Sequence, residues 1–323
     1  MRVPLLVLVV LPLAVASAGP VAVPAAVTEE AAVAGCEVFP AESWWHADVS
    51  DLPRHRRNKQ WKSRMSSDVD LHPDFGPSSG GGPGYGMPVT VVREGHRRVR
   101  VRFTYASESD RVRYPLGRDT RIEGGRRSSG DRHAIVLDRD RCRLYETFAT
   151  RRKDGRWRAG SGATWRLDSN ALRPDGWTSA DAAGLPVLPG LLRWSEVRDR
   201  EVDHAIRFTT PVTSRWHLWP ARHDAGSRDS HRFPPMGARF RLRASYDASQ
   251  LGGHAREVVR AMKTYGLVPA DNGSAWYFQG ERNRHWPDRL VEDLKQIPAS
   301  AFVAVDTSSL QVDPDSGATQ PLG

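Results

Sequence analysis

The chain has 323 residues, with 47 lysines and arginines against 38 aspartates and glutamates, a formal net charge of +9 and only two cysteines. Two cysteines exclude a zinc-cluster domain, and beyond the first residues no segment is long and apolar enough to span a membrane. What remains is long enough to bury a sizeable core, as one large domain or two closely packed ones.

The first residues read as a targeting signal. Arg2 supplies a positive start, residues 3–15 are almost wholly apolar, and Ala16-Ser17-Ala18 offers small residues for cleavage after Ala18. A membrane anchor is the alternative, but the run is shorter than the ~20 residues of a spanning helix. Residues 19–35, rich in Ala, Val and Pro, read as a flexible leader, residues 36–312 as a single secreted globular domain, and residues 313–323 as a disordered tail. Val33-Ala34-Gly35-Cys36 has the form of a lipobox, which opens a lipoprotein alternative. Thr28, Glu29 and Glu30 interrupt the apolar run that such a signal needs beside it. In an oxidising compartment the even pair Cys36 and Cys142 is most simply one disulfide, with two buried thiols as the alternative.

Phe39 and the pair Trp44-Trp45 mark an N-terminal segment packed by aromatics, and residues 60–65 a short helix. Residues 77–86 (P-S-S-G-G-G-P-G-Y-G) form a connecting loop without regular structure. Strands are expected at residues 87–92 and 99–105, where Val99, Val101 and Phe103 face in and Arg98, Arg100 and Arg102 face water. Residues 133–137 and 143–148 pair around Asp138-Arg139-Asp140. Further strands are expected at 157–167, 204–209, 238–244 and 276–278, a turn at 179–184 and a short helix at 194–200. Residues 253–265 carry Val258, Val259, Ala261 and Met262 at helical spacing with Gly266 as a C-cap, and 286–296 form a second helix. The expected class is mainly β: an antiparallel β-sandwich or jelly roll with two or so C-terminal helices.

The arginines are spread over several clusters with acids between them, so the charge reads as general surface character with affinity for anionic polymers. A nucleic-acid binder would concentrate them on one face.

Glycine-rich turns set polar groups beside these strands. In Gly130-Asp131-Arg132-His133 the acid can orient the histidine as a general base, or cap its own turn. Glycoside cleavage needs two carboxylates about 5–10 Å apart, and Glu108, Asp110, Glu123, Asp131 and Asp181 are the candidates. His204 and His223 join His133 as possible bases. Arg222 and Tyr105 suit a lyase, one neutralising a uronate and the other taking a proton. No H-E-x-x-H or H-x-H spacing points to a metal, and no cofactor is identified. Among the 11 tryptophans most are expected in the core, with Trp177, Trp216 and Trp219 as candidates to stack on sugars. There is no G-x-S-x-G elbow and no P-loop.

Ten of these strings together are similar to those of a family of secreted bacterial proteins of uncharacterised function. They are F-P-A-x-x-x-W (39–45), L-H-P-D-F-G (71–76), Y-A-S-E-S-D (105–110), I-E-G-G (122–125), G-D-R-H (130–133), T-S-A-D-A-A-G-L-P (178–186), R-F-T (207–209), W-P-A-R-H (219–223), P-P-M-G-x-R-F-R-L (234–242) and A-D-N-G-S-x-W-Y (270–277). The resemblance covers most of the chain from Cys36 onward and implies one conserved unit; it carries no reaction.

The expected function is that of a secreted, carbohydrate-active, monomeric protein that cleaves or binds an extracellular or cell-wall polysaccharide or another anionic polymer. If catalytic it is a glycoside hydrolase or polysaccharide lyase, with Glu108, Asp110, Glu123, Asp131, His133, Asp181, His204, Arg222 and His223 lining one cleft. The alternatives are a non-catalytic envelope or glycan-binding module and, more remotely, an extracellular nuclease or phosphoesterase.

Overall fold

A computed structural model describes residues 33–78 and 84–320. The expected signal peptide, most of the leader and the centre of the glycine-rich loop lie outside these residues.

In chain order the elements begin with α1 (Asn58–Lys62), β1 (His72–Asp74), β2 (Val89–Val92), β3 (Val99–Phe103) and β4 (Arg113–Tyr114). Next come β5 (Ala134–Asp138), β6 (Arg143–Thr147), β7 (Arg151–Lys153), β8 (Arg156–Ala159) and β9 (Gly162–Arg166). The C-terminal half contains α2 (Trp194–Asp199), β10 (Ile206–Thr210), β11 (Arg239–Leu242) and α3 (Gly253–Thr264). It closes with β12 (Leu267–Asn272), β13 (Tyr277–Gln279), α4 (Asp288–Leu294) and β14 (Phe302–Val305). The class is mainly β, as expected, but the sheets are mixed rather than antiparallel.

A six-stranded sheet has the order β1-β13-β10-β12-β11-β14, and two four-stranded sheets the orders β2-β5-β6-β9 and β4-β3-β8-β7. Parallel pairs occur in all three: β1 with β13, β10 with β12, β2 with β5, and β3 with β8. Parallel pairing needs long crossovers, which local turn signals in the sequence do not reveal.

Three apolar clusters stack these sheets in layers. The first packs α3, α4 and Trp61 against one face of the six-stranded sheet. On α3, Ala255, Val258, Val259 and Met262 recur at the spacing of one helical face and are all buried. The second cluster joins the opposite face of that sheet, through Val268 and Ala270, to Ile135, Leu137, Leu144 and Trp165 of the middle sheet. The third joins Ala134, Val136 and Tyr145 on the other face of the middle sheet to Val99, Val101, Phe103, Tyr114 and Trp157. Strand β5 is therefore covered on both faces, which explains its unbroken A-I-V-L run. Burying its side chains is worth roughly 1.5–3 kcal/mol for each large one.

Cys36 and Cys142 form a disulfide with Cα atoms 5.4 Å apart, tying the N-terminal segment to the β5–β6 turn. Lipidation of Cys36 would exclude this bond, so the lipobox reading conflicts with the structure. The expected tail is ordered through Gln320. Residues Ser316 and Ala318 bridge to Ala171 and Ser43, and Gly317 N–H donates to Asn170. The folded unit thus extends past residue 312. No helix among the described residues is long and apolar enough to cross a membrane.

Candidate functional site

A cavity of about 270 Å3 opens where β3, β6, β8 and β12 end. Tyr105 and Glu108 follow β3, Phe148 follows β6, Ser161 follows β8, and Asp271 sits near the end of β12. The loop holding Thr178, Ser179 and Asp181 forms one wall, and His223 another. Loops on a rigid scaffold are where binding groups concentrate.

Local sequence builds each wall. Ser179 Oγ accepts from the Asp181 N–H at 2.9 Å and donates to the Leu185 carbonyl, so the serine folds its own loop. The loop closes at Gly184, whose φ of +69° favours glycine, and where a Cβ would stand 2.6 Å from the Trp177 carbonyl. The Ala183 carbonyl then accepts from both the Arg222 and His223 N–H groups, which docks the His223 segment onto this loop. In β12, the register against β10 shifts between Phe208 and Thr209, leaving Ala270 unpaired just before Asp271. Such bulges re-aim the next side chains.

Glu108 Oε2 accepts from the Thr178 N–H at 3.3 Å and lies 3.8 Å from His223 Nε2. The other nitrogen of His223 lies 2.7 Å from the Ala182 carbonyl, which makes Nδ1 the N–H donor. Asp271 is pushed up to about 6, first by burial and then by the charge of Asp181. The cavity thus holds three carboxyl groups in different surroundings: Asp181, tied to Arg207, and Glu108 and Asp271, which are not, with half-exposed Tyr105 at its rim.

Beneath it runs a buried charge network. Arg207 on β10 is 1% exposed; its Nε donates to Asp181 at 3.1 Å and its Nη1 to Gln279 at 2.9 Å. Burial opposes the guanidinium charge, but Asp181, Asp271 and Glu123 outweigh it. His133, also 1% exposed, lies 2.6 Å from Glu123 and 3.0 Å from the Ala180 carbonyl through its two nitrogens. Burial alone would lower it, yet the hydrogen bond and charge of Glu123 raise it to about 9. Two acceptors on one ring are satisfied by an imidazolium, so His133 is a cation of the scaffold rather than the free base expected. Asp74 on β1 joins this network and is raised by burial and then by Glu123.

The expected single cleft therefore divides. Tyr105, Glu108, Asp181 and His223 line the cavity, and Glu123 and His133 lie in the network behind Asp181. Asp110 is a latch: its Oδ2 accepts from Arg173 at 2.9 Å and from the Thr164 N–H at 2.7 Å. Asp131 is exposed on its turn. His204 is buried at a separate cavity of about 300 Å3, against Glu196 at 2.9 Å. Arg222 is spent on the Pro314 and Arg173 carbonyls and on Asp315, each at 2.7 Å, so it neutralises no substrate. Trp219 donates its indole N–H to the Ser316 carbonyl, and Trp177 lies beneath the Arg173 guanidinium.

Asp271, Arg207, Asp74 and Gln279 were not singled out by sequence reasoning. Arg207, Asp271 and Gln279 stand in strands where a polar residue interrupts or ends an apolar run, and that was the available signal; the short β1 of Asp74, H-P-D, offers none. Among the described residues no three His, Cys, Asp or Glu side chains gather as metal ligands. No protein-family model, curated protein or solved structure matches this chain.

Proposed function

We propose that this protein is secreted and acts on an extracellular polysaccharide at the cavity between Glu108 and Asp271, by hydrolysis. The observation that carries this reading is that one cavity is lined by Glu108 and Asp271, two carboxyl groups in unlike surroundings, beside Asp181, which Arg207 already holds. Asp271, at about 6, is half-protonated near pH 6, well above the ordinary carboxylate range, and serves as the general acid to the leaving oxygen. Glu108, which accepts from the Thr178 N–H and lines the same cavity, is the second carboxylate, which would activate water or attack the anomeric carbon. Tyr105 offers a ring face at the entrance. Elimination is disfavoured because the one expected arginine, Arg222, is held elsewhere and the cavity lining contains no other.

The test is a panel of polysaccharides incubated with the disulfide-bonded protein, read for new reducing ends and for unsaturated uronates. Reducing ends without unsaturation are expected. Asp271→Asn and Glu108→Gln should each lower the rate at least about 100-fold. Activity should be lost as pH rises through about 6, because the acid must be protonated. Unsaturated products would replace hydrolysis by elimination.

A second reading, a non-catalytic glycan-binding module, is favoured by one observation. Glu123, His133, Asp181, Arg207 and Gln279 already bind one another, as in a rigid receptor. Binding without any turnover would select it.

A further inference from the structure

The outermost sheet, β4-β3-β8-β7, has one apolar face and one face made of cations. Val99, Val101, Phe103, Tyr114 and Trp157 turn inward to the third cluster. Strand alternation sends their neighbours outward. Register then aligns Arg100 with Arg113, Arg102 with Arg158, Arg158 with Arg151, and Arg156 with Lys153. Seven basic residues thus stand in two rows on one face, and all seven are exposed. None of them takes part in an ion pair within 4 Å among the described residues. Neighbouring strands lie about 4.8 Å apart and alternate residues about 6.6 Å apart, so this is a dense cationic plate. More arginines, Arg97, Arg118 and Arg152, ring a concavity of about 830 Å3 at its edge.

Seven like charges at such spacing repel one another. Exposed ion pairs are worth little singly, but a field of one sign over a continuous face concentrates a polyanion. We infer that this face binds a linear acidic polysaccharide, bearing carboxylate or sulfate groups, and delivers it to the cavity. Position supports delivery: β3 and β8 run from the plate directly into Tyr105 and Ser161 of the cavity. Those positions lie three residues beyond Arg102 and Arg158, at most about 10 Å of chain. A nucleic acid fits less well, because the outward rows carry no aromatic on which bases stack. The choice of a glycan rests on the polysaccharide reading of the cavity; the affinity of the plate for a polyanion does not.

The test uses the disulfide-bonded protein and a variant with Arg100, Arg102, Arg156 and Arg158 all changed to Ala. A second variant, with Arg54, Arg56, Arg232 and Arg284 changed to Ala, removes the same charge elsewhere on the exposed surface. Binding of hyaluronan, polygalacturonate, dextran and oligothymidylate is measured at increasing salt, and far-UV circular dichroism confirms that both variants fold. At least one acidic glycan should bind, weaken with salt, and lose at least tenfold in affinity in the plate variant, while the control variant stays within about twofold. Dextran should not bind. The inference is overturned if neither acidic glycan binds, if both variants lose affinity equally, or if oligothymidylate binds more tightly than both glycans. Glu108→Gln should bind like the unmodified protein, so loss of turnover and loss of plate binding are read separately.

Discussion

Arg207 is the residue whose removal the structure makes most costly. Its guanidinium is buried between two hydrogen bonds, 3.1 Å to Asp181 and 2.9 Å to Gln279, and it balances Asp271 and Glu123 besides. Arg207→Met keeps the aliphatic stem but leaves Asp181, itself 1% exposed, without its cation. Breaking one side of a buried pair costs about 3–5 kcal/mol. That is a large part of the roughly 5–15 kcal/mol by which folded proteins are stable. At about 2–4 °C per kcal/mol, Tm should fall by roughly 6–20 °C. The assay is thermal unfolding at pH 7, followed by circular dichroism and by tryptophan fluorescence. Arg207→Met combined with Asp181→Asn removes both charges and should recover at least half of the loss. A single variant within about 2 °C of the unmodified protein would refute the network, and so would a double variant less stable than the single one.

Two further outcomes concern the scaffold. His133 is held at about 9 in the fold against about 6.5 unfolded, so its contribution is complete below about 6.5 and is lost as pH rises through 9, about 3 kcal/mol in all. Glu123 is held low and adds the opposite limb, lost as pH falls through the carboxylate range. Urea midpoints measured between pH 6 and 10 should therefore decline, and Glu123→Gln should flatten that decline; parallel profiles would contradict the pairing. The disulfide closes a separation of 106 residues, worth about 4–5 kcal/mol in the chain-entropy model. The unfolded, unreduced protein should show no thiol to a thiol reagent, and changing both cysteines to serine should lower Tm; two reactive thiols would rule the bond out.

Helix α3 was legible because its apolar spacing and the following Gly266 are local signals. The inward and outward alternation of β3 was legible for the same reason. Strands β12 and β14 were not anticipated. Both are buried along most of their length, and a short continuous apolar run has no period to read. Glu108 and His223 are 115 positions apart in the chain by number, yet face each other at 3.8 Å because the Ala183 carbonyl docks one loop on the other.

The sequence by itself determined the β-rich composition, the helix faces, the cysteine pair and the surplus of arginine. These follow from residue type and short-range period. Only the tertiary structure decided which acids converge, which histidine is a locked cation, and that arginines from 100–113 and 151–158 share one face. Those outcomes depend on parallel crossovers and sheet register, and both bring together residues whose separation along the chain carries no trace of their contact.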